Sequence, residues 1–245
     1  IMLILFDVDG TITESGKKIT NDMISTLIKV KNEKKCLMGI VGGGNMKKIL
    51  FQLDGSSHIF DYIFSECGAV IYKKQKEFEC IYKKSMMEQI NNVEKEELDG
   101  LIKIFRNIIV ENNILSKGNN IDIRNGLIYF SFPGMEADDE IRNKFFELNK
   151  KRELIKNSLD KLKKESKYFI VAKGGEAGFS ITLPGWDKSQ VISTLSNILG
   201  EERDIYFFGD KCDIDGNDYP LYIHKKVKGI CVKNYLDTIE KLKLI

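Results

Sequence analysis

The chain has 245 residues, of which 42% are apolar, and 38 Lys+Arg stand against 36 Asp+Glu. That apolar fraction supports a packed core and excludes a disordered chain, while the near-cancelling charge argues against a nucleic-acid partner, which needs clustered positive excess. No apolar run approaches the ~18 residues of a membrane span, and the first residues lack the basic segment, long apolar core and small-residue site of a secretory leader, so neither a membrane span nor a signal peptide is expected.

Residues 2–6, MLILF, form a short apolar run of the kind buried on both faces of a parallel sheet, and Asp7-Val-Asp-Gly-Thr11 follows at once. Thr20 suits the N-cap of a helix carrying Met23, Ile24, Leu27 and Ile28. Residues 37–41 read as a second buried strand running into Gly42-Gly43-Gly44, and Asn45 then caps a helix on which Ile49, Leu50 and Leu53 share a face. Residues 61–64 and 69–72 continue as strands. Between about 82 and 186 the texture changes. A helical stretch over 85–112 leads to two alternating runs around Asn125-Gly126, a hairpin signal, then to a helix over 138–165 and strands at 168–172 and 178–183. The first rhythm resumes with Asp187-Lys-Ser-Gln190, which resembles a capping box, ahead of a helix bearing Val191, Leu195 and Ile198. A strand at 205–208 ends in Gly209-Asp210, and a strand at 229–232 and a helix to about 242 complete the chain. The expected architecture is α/β: a Rossmann-like parallel-sheet core domain from residues 1–81 and 187–245, with an inserted α+β cap domain, antiparallel sheet plus helices, at 82–186.

Five cysteines without a C-x-x-C spacing speak against a disulfide or zinc framework and for a reduced, cytoplasmic setting. Neither of the two histidines, His58 and His224, sits in a nucleophile motif, which leaves the carboxylates to carry any chemistry. Asp7 and Asp9 lie just past one buried strand and Asp210 just past another. Adjacent parallel strands bring such residues to one sheet edge, where clustered carboxylates repel unless a hard cation neutralises them. Mg²⁺ takes oxygen ligands and pairs naturally with phosphate, so the pattern points to phosphoryl transfer.

Asp7-Val-Asp-Gly-Thr11 with Gly209-Asp210-Lys211 and Gly216-Asn217-Asp218 resembles the haloacid-dehalogenase-like superfamily. FDVDGTIT, Gly39-Ile-Val-Gly-Gly43, Ile123-Arg-Asn-Gly126, Gly185-Trp-Asp-Lys188 and Tyr206-Phe-Phe-Gly-Asp-Lys211 further resemble the eukaryotic-type phosphomannomutases, over essentially the whole chain. The resemblance implies Mg²⁺ dependence, a hexose 1,6-bisphosphate activator, a homodimer formed through the cap, and a place in GDP-mannose biosynthesis. It makes Asp7 the nucleophile and Asp9 the general acid and base that lends a backbone carbonyl to the metal. Asp210 becomes a direct metal ligand, Asp218 a supporting carboxylate, and Lys188 the charge partner of an aspartyl phosphate.

On the substrate side, Arg124 and Arg142 match phosphate-binding arginines, which suit bidentate capture of a sugar phosphate. Lys17 neighbours Gly16, where the family has an arginine, and Met135 stands at another arginine position. Gly178 and Ser180 occupy positions where the family holds sugar hydroxyls with serine and aspartate. Gly44 and Cys67 likewise replace a hydroxyl residue and an asparagine. The expected activity is a phosphohexose mutase, an isomerase of the phosphomannomutase type interconverting mannose 6-phosphate and mannose 1-phosphate. The alternative is a Mg²⁺-dependent sugar-phosphate phosphatase on the same scaffold, with water replacing the sugar hydroxyl.

Overall fold

The structure, a computed structural model, describes residues 2–200 and 203–245. Its elements in chain order begin with β1 (Leu3–Phe6), α1 (Asn21–Lys34), β2 (Leu37–Val41), α2 (Met46–Leu53), β3 (Tyr62–Ser65), β4 (Val70–Lys74) and β5 (Phe78–Lys83). There follow α3 (Asn92–Glu111), β6 (Ile121–Ile123), β7 (Ile128–Ser131), α4 (Asp139–Arg152), α5 (Leu154–Glu165), β8 (Ile170–Gly174) and β9 (Gly178–Thr182). The chain closes with α6 (Gln190–Leu199), β10 (Ile205–Gly209), α7 (Tyr219–Tyr222), β11 (Val227–Cys231) and α8 (Tyr235–Leu242). Two compact units result: one runs up to Lys84 and resumes at Gly185, the other is Ser85–Pro184. The sequence reading placed those boundaries at 81 and 187.

In the first unit a seven-stranded sheet has the order β11-β10-β1-β2-β3-β4-β5. The strands β11, β10, β1, β2 and β3 run parallel, while β4 and β5 are antiparallel additions at one edge. The alternation along β1 explains the layering. Ile4 and Phe6 enter one apolar cluster with Met23 and Leu27 of α1, Ile49 and Leu53 of α2, and Leu242 of α8. Leu3 and Leu5 enter another with Val191, Ile192 and Leu195 of α6. Both faces of the central strand are thus covered, as a parallel sheet requires, and each buried aliphatic side chain contributes ~1.5–3 kcal/mol. Successive strands step away from β1 toward β2 and β3, and the chain later returns to lay β10 on its other side. The order reverses at β1, and ligands of open α/β sheets bind outside the carboxyl ends of strands at such a point.

The second unit is a four-stranded antiparallel sheet, β6-β7-β9-β8, with three helices. Its core is aromatic: Phe105 of α3 stacks on Phe130 at 4.9 Å, and Phe132 stacks on Phe145 of α4 at the same separation. The expected helix over 138–165 is two helices. Glu153 adopts a left-handed conformation (φ 49°) between them, and the Asn149 side chain accepts from the N–H of Ile155 to start the second. The expected helical start at 85 is also corrected, to Asn92, where Asn91 and Glu94 form a reciprocal capping box. Strand β5 had no sequence signal, because most of it is exposed at the sheet edge and carries no apolar alternation. Asp187 does not complete a capping box; its carboxylate accepts from the N–H and hydroxyl of Ser189. No helix among the described residues is long and apolar enough to cross a membrane.

Candidate active site

Asp7 follows β1 and Asp210 follows β10, two strands paired in parallel with Phe6 opposite Phe208. The N–H of Asp7 donates to the Phe208 carbonyl at 2.9 Å, which carries the ladder one residue past the strand and holds Asp7 at the sheet edge. Lys188, just ahead of α6, is fully buried and donates to Asp7 at 2.5 Å and to Asp218 at 2.7 Å. Asp218 is itself fully buried ahead of α7. Its second oxygen accepts from the N–H groups of Asp210 (3.1 Å) and Lys211 (3.0 Å), so it braces the loop that carries Asp210. Lys211 closes the set with an ion pair to Asp210 at 2.6 Å.

The electrostatics follow from burial. Desolvation pushes Asp7 well above the ordinary carboxylate range; Lys188 opposes this, and Asp218 and Asp210 reinforce it. Asp210 is raised by burial and then by Asp218, against Lys211. Lys188 is raised although burial alone would lower it, because the charges of Asp218 and Asp7 outweigh the desolvation. Three carboxylates facing two ammonium groups leave the cluster one negative charge in excess. Ligand oxygens of Asp7, Asp210 and Asp218 lie within 4.8 Å of one another. An all-oxygen donor set with uncompensated negative charge fits a hard divalent cation such as Mg²⁺.

Asp9 is not part of this trio. Its carboxylate accepts from the Gly16 N–H (2.7 Å), from Gln52 Nε2 (2.7 Å) and from Lys48 Nζ (3.0 Å). Burial works to raise Asp9, but Lys48 and these hydrogen bonds prevail and hold it below the ordinary range. Gln52, Lys48 and Lys211 were not anticipated as site residues. Gln52 did leave a trace: it is a buried polar residue beside Ile49 and Leu53 on the inner face of α2. Lys17 is exposed in the same loop, with its N–H on the Glu14 carbonyl.

The second unit holds the other candidates. Arg124 follows β6 with its Nε on Asp122 at 2.6 Å and its guanidinium over the Tyr129 ring. Arg142, on α4, lies 3.3 Å from Glu176 and over the Phe146 ring. Ser180 is buried in β9 between Tyr129 of β7 and Ala172 of β8. Gly178 starts the same strand, where a Cβ would run into the Phe130 carbonyl and the Tyr129 hydroxyl, so this position offers only backbone.

The sequence profile described as eukaryotic phosphomannomutase matches residues 23–245. The chain belongs to this family. Among its relatives, the phosphomannomutase of Saccharomyces cerevisiae is 32% identical over 98% of this chain and 92% of that protein. The Schizosaccharomyces pombe phosphomannomutase is 33% identical over 99% and 93%. Human phosphomannomutase 1 is 31% identical over 100% and 92%. Among solved structures, an N-terminally truncated, IMP-bound IMP-nucleotidase of Plasmodium falciparum superimposes with a TM-score of 0.66 at 16% identity. That match covers 99% of this chain and 67% of that one. A Thermoplasma acidophilum protein gives a TM-score of 0.56 at 18% identity over 99% and 89%. At these identities the likeness shows a shared fold.

Gly16 and Met135, where the resemblance leads one to expect arginines, have defined structural settings. The N–H of Gly16 serves Asp9, and Met135 is exposed. Cys67 is buried in a left-handed conformation, with its carbonyl accepting from Gln190 at 2.7 Å.

Proposed function

We propose that this chain is a phosphomannomutase that interconverts mannose 6-phosphate and mannose 1-phosphate through an aspartyl phosphate on Asp7. The observation that carries this reading is Lys188, buried and bonded to both Asp7 and Asp218 beside Asp210 at the carboxyl edge of the sheet. Phosphorylated Asp7 passes its phosphoryl group to a free hydroxyl of the hexose phosphate, giving a hexose 1,6-bisphosphate. After the sugar turns over, Asp7 recovers the phosphoryl group from the other position. A carboxylate nucleophile divides the transfer into two steps, and Lys188 offsets the negative charge that accumulates at Asp7. Asp9, held as an anion by Lys48, Gln52 and Gly16, accepts the proton of the attacking hydroxyl and returns it to the leaving oxygen. Asp7, Asp210 and Asp218 would hold Mg²⁺, with Asp9 contributing its backbone carbonyl; the bound ion supplies positive charge against the phosphoryl oxygens.

Arg124 and Arg142 are assigned to the substrate phosphate, with Lys17, Gly178 and Ser180 as further substrate contacts. We also assign a hexose 1,6-bisphosphate activator, a homodimer formed through the second unit, and a role in supplying GDP-mannose biosynthesis. The five free cysteines support a reducing, cytoplasmic setting.

The test is product identity. Incubation with mannose 1-phosphate, Mg²⁺ and a trace of hexose 1,6-bisphosphate is expected to yield mannose 6-phosphate. Free phosphate without mannose 6-phosphate would assign a phosphatase instead; similarity to phosphomannomutases along the whole chain favours the mutase.

A further inference from the structure

The three donors on Asp9 are not equivalent. Oδ1 takes two of them, the Gly16 N–H and Gln52 Nε2, each at 2.7 Å, whereas among the described residues Oδ2 takes Lys48 Nζ alone, at 3.0 Å. Gln52 is buried, and it grips the loop after β1 through both its main chain and its side chain. Its carbonyl accepts from the N–H of Ile19 at 2.7 Å. Its amide has two protons to give, and besides Asp9 it reaches the Lys17 carbonyl (3.4 Å) and the Thr13 hydroxyl (3.5 Å). Val8 and Ile12, on either side of Asp9, enter the same apolar cluster as Ile49 and Leu53 of α2. A buried amide in such surroundings keeps its hydrogen bonds, because nothing apolar replaces them. Lys48 is of another kind. Its side chain is 43% exposed, and its ammonium rides on a flexible four-carbon stem that water solvates when the ion pair opens.

We propose that Gln52 is a positioning residue: with the Gly16 N–H it anchors Oδ1 of Asp9 and leaves Oδ2 as the oxygen that handles the substrate proton. The inference rests on the acid–base role given to Asp9 in the proposed mechanism. Phosphorylation of Asp7 by a hexose 1,6-bisphosphate forms an O–P bond at Asp7 and breaks the P–O bond to the sugar. The electron pair stays on the sugar oxygen, which takes a proton from Oδ2 once Lys48 has yielded its place. In the reverse direction the sugar hydroxyl gives that proton back to Oδ2. An unanchored carboxylate turns about its side-chain bonds and presents either oxygen in many directions. Two short hydrogen bonds to Oδ1, one from the loop backbone and one from a buried amide, leave Oδ2 a single direction toward the reacting oxygen.

The experiment compares two phosphoryl donors in single turnovers of the full chain with Mg²⁺. Release of the sugar phosphate from a hexose 1,6-bisphosphate needs a proton on the leaving oxygen. Release of nitrophenolate from p-nitrophenyl phosphate does not, because the phenolate departs with its electron pair. The readout is the ratio of the two rates, which a general loosening of the fold or a weakened phosphate contact leaves in place. Gln52→Met is expected to lower the ratio at least about tenfold, and Asp9→Asn at least as far. Gln52→Asn keeps an amide but draws it back by one methylene; the same fall is expected of it, and it carries the test if melting curves show that the Met variant does not fold. Lys48→Met is expected to change the ratio by no more than about threefold. The inference is overturned if either Gln52 variant folds with the ratio intact, or if Lys48→Met lowers the ratio as far as they do. Asp9→Asn tells the two failures apart: an unchanged ratio in that variant would refute the acid–base role of Asp9 itself, and the inference with it.

Discussion

A Cβ placed on Gly10 would lie 2.5 Å from Oδ2 of Asp210, so a residue near the start of the chain leaves room for a carboxylate near its end. Gly10 also holds φ +78°, a conformation that costs an ordinary residue about 1–2 kcal/mol. Gly10→Ala therefore combines backbone strain with displacement of a proposed metal ligand. In the parent, Mg²⁺ bound at the proposed site, at a hundred times its dissociation constant, is expected to add about 2.7 kcal/mol of stability, which chelation would remove. In Gly10→Ala that increment is expected to shrink and activity to fall at least about tenfold. Thermal melts with Mg²⁺ and with a chelator decide it; an unchanged Mg²⁺ increment would contradict the placement.

Lys188 makes the second prediction. Lys188→Met removes the cation that Asp7 and Asp218 share in a fully desolvated site. Breaking a buried pair from one side costs about 3–5 kcal/mol, because the remaining charge loses its compensation. Urea unfolding is expected to show most of this loss in chelator and less in Mg²⁺, since the ion replaces part of the missing positive charge. Equal losses in both media would mean that the cation and the lysine do not share the same carboxylates.

Arg124 separates binding from folding. Its guanidinium is held by Asp122 and Tyr129, so its direction is set within the second unit. Arg124→Ala removes a charge-assisted contact of about 1.5–3 kcal/mol to the proposed substrate phosphate. KM for the hexose phosphate is expected to rise on the order of tenfold to a hundredfold. Steady-state kinetics beside a melting curve check this, and a fall in stability with KM unchanged would make the residue structural.

The break between α4 and α5 yields a stabilising substitution. Glu153 sits at φ 49° with its N–H on the Asn149 carbonyl at 2.7 Å, and its side chain is exposed. Glycine adopts this conformation without the Cβ penalty, offset in part by its greater freedom when unfolded. Glu153→Gly is expected to raise stability by about 0.5–1 kcal/mol with activity unchanged. Denaturant unfolding at equilibrium is the measurement, and a loss of stability would refute the reading of the helix break.

The parallel sheet was legible because its central strands are short apolar runs covered on both faces, as β1 shows. The Asp7 and Asp210 positions were legible for the same reason: each stands at the end of such a run. Strand β5 was not, since an exposed edge strand obeys no apolar alternation. The left-handed turn at Glu153 was missed because the residues around it are strong helix formers, and the break comes from how α4 and α5 end and begin around Asn149.

The sequence by itself determined where β1 and β2 end, the helix caps at Thr20 and Asn45, and the family to which the chain belongs. Spacing alone placed Asp7 and Asp9 side by side, and only the family resemblance gave them different roles. The tertiary structure supplies the physical difference, turning Asp7 toward Lys188 and Asp218 and Asp9 toward Lys48, Gln52 and Gly16. The physical reason is that backbone conformation and apolar burial are set by neighbours in the chain. The charge state of a carboxylate is set instead by whichever groups the fold brings within a few ångströms, from residues as distant in the chain as Lys188.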